Sequence, residues 1–159
     1  MLLAGRAAAQ DVRYDYDQRT DFSGYRTYAW VGGTNLQDEL NHARIVAAVD
    51  SQLAVKGLTR VDSAGSPEVL VVYRVGMTHD LEINGYGSRY VGRTSPISAR
   101  VERVVMGTLA VGIIDAKTRS VVWRATATKE VDPEASPEKR EKNINKAVEK
   151  LFKHYPSAK

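Results

Sequence analysis

The chain has 159 residues, of which 43% are hydrophobic and 26% are charged, an ordinary composition for one globular domain with a single core. It contains no cysteine, which excludes disulfides, thiolate catalysis and cysteine-ligated metals. The formal net charge of +4 indicates mild attraction to anions, without the basic stripe of a nucleic-acid-binding protein. The apolar runs are much shorter than the roughly 20 residues that cross a bilayer, so no transmembrane segment is predicted.

The first ten residues are apolar and small, and they resemble the end of a signal peptide. Ala7, Ala8 and Ala9 fit the small-residue rule for cleavage, which would leave Gln10 or Asp11 as the new N-terminus. The alternative is a disordered cytoplasmic N-terminus. We expect an exported protein in which residues 1–10 are a signal-peptide remnant, residues 11–156 form one domain and residues 157–159 are a tail.

Two strands and a helix are predicted in the first part of the domain. Residues 11–17 and 26–31 alternate aromatic and polar side chains, a period of two that is typical of half-buried strands. Between residues 36 and 56 the apolar period becomes helical, and Gly57 is expected to end the helix because glycine accepts a left-handed backbone. The apolar stripe of this helix contains Ile45, Val46, Val49 and Leu53.

A long antiparallel hairpin is predicted next. Residues 68–75 form an apolar, β-branched run, and residues 76–83 are a weaker continuation of it. Residues 99–114 alternate again and turn at residues 115–118 into a returning strand. The small side chains of Ala110 and Gly112 on one face predict that a helix packs closely there.

The final helix has a clear start signal. Ser136 is expected to cap it and Pro137 to take the first helical position, where a missing N–H costs nothing. The predicted order is therefore β-β-α-β-(β)-β-β-α. Short connections between consecutive strands favour an α+β domain in which a mainly antiparallel sheet is covered by two helices.

Only one short segment gathers residues of the kind that bind metals or move protons. His79, Asp80 and Glu82 lie close together in sequence, but strand alternation would send His79 to one face and the two carboxylates to the other. The segment is a weak candidate for a polar site. No catalytic residue, metal site or cofactor is predicted.

A glycine-rich loop is predicted at residues 84–96. It lacks the following helix that a phosphate-binding loop needs. Its aromatic and guanidinium side chains could contact an anionic glycan, a lipid head group or a protein, although an ordinary solvated loop is the alternative. The candidate binding residues are Tyr86, Arg89, Tyr90 and Arg93.

Several blocks of this sequence, in order, resemble the bacterial family known as domain of unknown function 4136 (DUF4136). The resemblance implies an exported envelope protein of Gram-negative bacteria, and many such proteins are lipoproteins anchored through a cysteine. Here Ala9, Gln10 and Asp11 stand where that cysteine would be, which favours a soluble periplasmic or outer-membrane-associated form. The family brings no established activity or binding residues. The matching blocks are residues 12–17, 21–30, 47–58, 67–73, 107–124 and 153–156.

The leading functional hypothesis is a non-enzymatic envelope module that binds a protein, an anionic lipid or a glycan. The alternative is a small-ligand-binding protein or hydrolase with a site near residues 84–96, using His79, Asp80 or Glu82. A third hypothesis is a structural homo-oligomer formed through an exposed sheet edge. The sequence does not specify the ligand or the oligomeric state.

Overall fold

The structure, a computed structural model, describes residues 10–31, 38–84 and 100–156. Within these ranges the chain forms one mixed sheet and two α-helices. In chain order the elements are β1 (Asp11–Tyr16), β2 (Thr27–Trp30), α1 (Glu39–Val55), β3 (Thr59–Arg60), β4 (Val69–Asn84), β5 (Arg100–Asp115), β6 (Val121–Val131) and α2 (Pro137–Phe152).

The strands are arranged in the order β1-β6-β5-β4-β2-β3. All pairs are antiparallel except β2 with β4 and β2 with β3, which are parallel. The parallel pairing follows from α1, which carries the chain from the end of β2 back to the start of β4. The predicted α+β class and mainly antiparallel sheet are confirmed, while β1 and β2 lie far apart in the sheet despite their short connection.

Two strands are longer than their neighbours. β4 and β5 have 16 residues each and pair along their whole length, from Val69 opposite Asp115 to Asn84 opposite Arg100. The predicted weaker continuation at residues 76–83 therefore belongs to the same strand as the apolar run before it. Because β2 and β6 are shorter, the far ends of β4 and β5 pair only with each other among the described residues.

The helix ends follow the sequence signals. Gly57, just after α1, has a φ of 88°, the left-handed backbone that favours glycine. At the start of α2 the Ser136 hydroxyl accepts a hydrogen bond from the Lys139 N–H at 3.2 Å, and Pro137 is the first helical residue. No helix among the described residues is long and apolar enough to cross a membrane.

Both helices pack on one face of the sheet. Between Leu109 and Ile113 of β5, the side chains of Leu109, Val111 and Ile113 are buried, and they alternate with partly exposed Ala110 and Gly112. The prediction that a helix packs against the two small residues is therefore wrong. A Cβ at Gly112 would lie 3.1 Å from Val72 Cγ2, so the small residue makes room for a side chain of the neighbouring strand instead.

Candidate functional site

The Asp50 carboxylate, on the flank of the α1 apolar stripe, accepts hydrogen bonds on both of its oxygens. Its Oδ1 accepts hydrogen bonds from the Tyr28 hydroxyl at 2.6 Å and from Trp30 Nε1 at 2.8 Å. Its Oδ2 accepts one from Arg60 Nη1 at 2.9 Å. Burial raises the pKa of Tyr28, and its hydrogen bond to Asp50 raises it further. Asp50 thus links α1 to β2 and β3, and both of its carboxylate oxygens accept hydrogen bonds. The four side chains of Asp50, Tyr28, Trp30 and Arg60 are here called the Asp50 tie.

A shallow cleft of about 450 Å³ lies beside this tie. The Arg60 side chain, 54% exposed, brings a cation to it, but the same guanidinium already pairs with Asp50. Asp62 accepts a hydrogen bond from the Ser63 N–H at 3.1 Å, a local turn contact. Arg60 and Asp62 therefore already form contacts within the protein, which leaves the cleft few polar groups for a ligand. It is lined by Ala29, Trp30, Arg60, Val61, Asp62 and Ser63.

A second carboxylate, Asp115, fixes the turn between β5 and β6. It accepts a hydrogen bond from the Tyr25 hydroxyl at 2.6 Å and two more from the backbone N–H groups of Lys117 and Thr118 at 2.8 and 2.9 Å. The Tyr25 hydrogen bond, followed by the backbone ones, lowers the pKa of Asp115. The Asp115 carboxylate therefore stabilises the turn, and its hydrogen bonds are made within the protein.

The two histidines outside the candidate segment have packing roles. The His154 ring stacks on Tyr14 with centroids 4.1 Å apart, and its backbone carbonyl accepts a hydrogen bond from Trp123 Nε1 at 3.1 Å. The His42 ring lies against Tyr73 and contacts its hydroxyl. Both histidines therefore serve the contact between the helical layer and the sheet.

The weak polar candidate lies in the regular part of β4. His79, Asp80 and Glu82 are in register with Val105, Val104 and Glu102 of β5. The side chains of these three residues lie outside the described part of the structure. Among the residues whose side chains are described, 10–31, 38–78 and 104–156, no group of three or more His, Cys, Asp or Glu could hold a metal. A polar site at these three positions stays a prediction.

The candidate binding loop lies outside the described residues. Tyr86, Arg89, Tyr90 and Arg93 belong to residues 85–99, which join β4 to β5. Their proposed contacts with an anionic partner therefore remain a prediction from sequence.

The described helices leave the opposite face of the sheet without a helical layer, and this face is here called the open face. The strand register brings short and hydroxyl-bearing side chains together at its centre, where the Thr108 and Thr128 hydroxyls are 3.3 Å apart. Charged side chains lie around them, among them exposed Arg74 and Arg124. The open face contains Asp11, Arg13, Asp15, Val72, Arg74, Thr108, Ala110, Gly112, Arg124, Thr126 and Thr128.

The Asp50 tie was not predicted from sequence. The available signal was a carboxylate directly after Val49 on the flank of an apolar helical stripe, together with the aromatic side chains of residues 25–30. An acidic residue at such a position needs hydrogen-bond donors, and tyrosine and tryptophan can supply them.

Comparison with solved structures shows that this fold occurs in other chains of low sequence identity. A PDZ domain protein from Parabacteroides distasonis matches with a TM-score of 0.59 and 15% identity over 94% of this chain, which corresponds to 37% of that longer chain. A PelC dodecamer from Paraburkholderia phytofirmans matches with a TM-score of 0.55 and 13% identity, covering 95% of this chain and 100% of the other.

A family comparison is more specific. A DUF4136 family protein from Bacteroides thetaiotaomicron has a TM-score of 0.56 and 13% identity, covering 92% of this chain and 96% of the other. No curated protein sequence matches the chain. The family model described as "Domain of unknown function (DUF4136)" matches residues 12–157. This chain therefore belongs to the DUF4136 family.

Proposed function

We propose that this protein is a non-enzymatic, exported envelope protein of Gram-negative bacteria that binds another envelope component through its open face. The observation that carries the proposal is the uncovered sheet face itself, which presents threonine hydroxyls, short side chains and arginines across four strands. An antiparallel sheet that packs helices on one face and leaves the other uncovered can place that second face against a partner.

The threonine hydroxyls of the open face and its exposed Arg74 suit an anionic or hydroxyl-rich partner, because guanidinium groups bind carboxylates and phosphates in a planar, two-point geometry. Arg124 is also exposed there and pairs with Asp15 at 3.8 Å. The sequence prediction that Tyr86, Arg89, Tyr90 and Arg93 contact an anionic partner agrees with this charge. An anionic lipid, a glycan or an acidic protein surface fits both features.

Support for envelope location comes from family membership and from the small-residue segment before Gln10. The protein expressed from its native gene should be released from Gram-negative cells by osmotic shock. Mass spectrometry of the released chain should find Gln10 or Asp11 at its N-terminus. A chain retained in the cytoplasmic fraction, with its leader uncut, would overturn the export part of the proposal.

Binding is tested by co-sedimentation of the purified protein with cell-wall material and, separately, with vesicles that contain phosphatidylglycerol. Arg74→Glu should reduce the bound fraction severalfold because it reverses a charge on the open face. Lys142→Glu is the matched control, since it makes the same change in net charge on an exposed position of α2. Equal binding by both variants would contradict a role for the open face.

The predicted loop is tested in the same assay. If Arg89→Ser with Arg93→Ser abolishes binding while Arg74→Glu does not, the partner contacts the loop and the open face is not the binding surface. The small-ligand or hydrolase alternative, which would use His79, Asp80 or Glu82, predicts that none of these changes affects co-sedimentation.

A further inference from the structure

The exposed side of α2 carries a row of lysines, here called the lysine stripe. Successive members are separated by three, four, four and three residues, a spacing that places them on one side of a helix. All of them are exposed, and the row is about 21 Å long given the rise of an α-helix. The lysine stripe consists of Lys139, Lys142, Lys146, Lys150 and, at the C-terminal cap, Lys153.

The positive charge of the stripe is largely unpaired. Residues 137–153 carry six basic and three acidic side chains, so this short segment has an excess of positive charge. Lys139 pairs with Asp132 at 3.9 Å, and both side chains are exposed. Among the residues that the structure describes, the other four ammonium groups of the stripe form no salt bridge. These lysines therefore do not hold the fold together and are available to an anionic partner.

The neighbouring helix presents an uncharged surface beside the stripe. α1 and α2 contact each other and bury their apolar sides in one core, so their exposed sides both point away from the sheet. Between residues 40 and 55 of α1, every exposed side chain is uncharged. Leu40 is 71% and Val55 is 76% exposed, the largest exposed fractions among the described large hydrophobic side chains. The outer surface of the helical layer thus combines lysines with exposed aliphatic side chains.

This combination is complementary to the surface of an anionic lipid bilayer. We propose that the helical layer binds peripherally to such a bilayer, with the lysine stripe at the lipid phosphates and Leu40 and Val55 at the boundary between head groups and acyl chains. Lysines near an anionic membrane surface are attracted to it, and aliphatic side chains at the boundary leave water. The apolar side of α2 is buried in the core, so α2 stays at the level of the head groups.

The exposed aliphatic residues favour a bilayer over a soluble anionic polymer. A polymer would contact the row of lysines and gain nothing from Leu40 and Val55 on the adjacent helix. A bilayer contacts both helices at once, because it is flat and wide. The open face lies on the other side of the sheet and stays accessible while the helical layer is bound.

The charge contribution is tested by co-sedimentation with vesicles of phosphatidylcholine alone or mixed with phosphatidylglycerol. The wild-type chain should bind the mixed vesicles only, and less as salt rises. Lys146→Gln with Lys150→Gln should raise the lipid concentration for half-maximal binding roughly 25-fold, about fivefold for each lysine. Lys146→Arg with Lys150→Arg should bind as the wild type does. Lys117→Gln with Arg119→Gln is the matched control, because it removes two charges from the exposed β5–β6 turn.

The aliphatic contribution is tested separately. Leu40→Ser should weaken vesicle binding severalfold at every salt concentration, whereas Val121→Ser, at an exposed position at the start of β6, should not. Circular dichroism checks that all variants fold. Equal binding to both kinds of vesicle, or full binding by the Lys146 and Lys150 glutamine variant, would overturn the proposal. Binding to soluble dextran sulfate as tight as to vesicles, with Leu40→Ser unchanged in both, would overturn it in favour of a polymer.

The helical layer and the open face are distinguished by their ligands. Lys142 belongs to the stripe, so Lys142→Glu is a control for Arg74→Glu with cell-wall material, and with vesicles it should itself reduce binding. The glutamine variant of Lys146 and Lys150 should keep its binding to cell-wall material. Vesicle binding that falls in Arg74→Glu and not in the glutamine variant would contradict the role of the stripe and leave the open face as the binding surface.

Discussion

At the scale of single residues, two buried tyrosines differ in whether the side-chain hydroxyl has a hydrogen-bond partner. The Tyr28 hydroxyl donates to Asp50, whereas the Tyr155 hydroxyl is buried without a hydrogen-bond partner among the protein atoms described. The Tyr155 ring packs edge to face against Phe22 and Trp123, with centroids 5.4 and 5.6 Å away. The ring of Tyr155 therefore contributes to the core, while its hydroxyl only loses hydration.

Removing the hydroxyl should distinguish these two tyrosines. Tyr155→Phe keeps the ring and should leave the free energy of unfolding unchanged or raise it by about 1 kcal/mol. Tyr28→Phe should lower it by about 1 to 2 kcal/mol, because Asp50 loses a donor. Urea unfolding at neutral pH measures both. Destabilisation by Tyr155→Phe equal to that by Tyr28→Phe would contradict the distinction.

The same tyrosines predict how stability depends on pH. Burial raises the pKa of Tyr155 to about 12, and burial followed by a carboxylate hydrogen bond raises the pKa of Tyr25 and Tyr28. Above pH 10, the ordinary tyrosine pKa, the unfolded chain loses protons that the folded chain keeps, so stability falls as pH rises. Urea midpoints measured through this alkaline range should therefore decrease. They should decrease less steeply for Tyr155→Phe, and a constant midpoint would argue against raised pKa values.

At the scale of elements, α2 depends on its cap. Ser136→Ala removes the acceptor for the Lys139 N–H and should lower the free energy of unfolding by about 1 kcal/mol. Ser136→Asp is the control, because aspartate also caps and its charge favours the positive end of the helix. Thermal unfolding of the three chains measures the effect. Equal losses for Ala and Asp would show that the hydroxyl contact does not stabilise the helix.

Local signals explain which elements could be predicted from sequence. The end of α1 and the start of α2 were predictable because Gly57 and the pair Ser136 and Pro137 act on their own backbone. The parallel pairing of β2 with β4 was not, because it depends on where α1 packs and not on any residue within the strands. The two-residue β3 was too short to produce a period.

The same contrast holds for the candidate site. The four groups of the Asp50 tie come from β2, α1 and β3, so only the packed helix brings Tyr28, Trp30 and Arg60 to one carboxylate. The aromatic residues of this cluster are an unusual concentration in the sequence and could be predicted to pack together. Their common acceptor, Asp50, could not be predicted, because that contact forms only when α1 packs against the sheet.

At the scale of the whole molecule, the sheet separates a covered face from a face available to partners. The helices bury Trp123, Phe152 and Leu53 on one side and give the domain its core. The opposite side has no helical layer among the described elements.

Substitutions at two adjacent residues of β5 test which face of the sheet packs against the helices. Val111 is 1% exposed in the core, so Val111→Ala should lower the free energy of unfolding by about 2 kcal/mol through lost burial and a residual cavity. Ala110 lies opposite Thr126 on the open face, where Ala110→Val should change stability by about 0.5 kcal/mol or less. A helix packed against Ala110 would instead clash with the added methyl groups. Urea unfolding of the two variants therefore measures directly which side of the sheet the helices occupy. A large loss for Ala110→Val with a small one for Val111→Ala would reverse the assignment of the two faces.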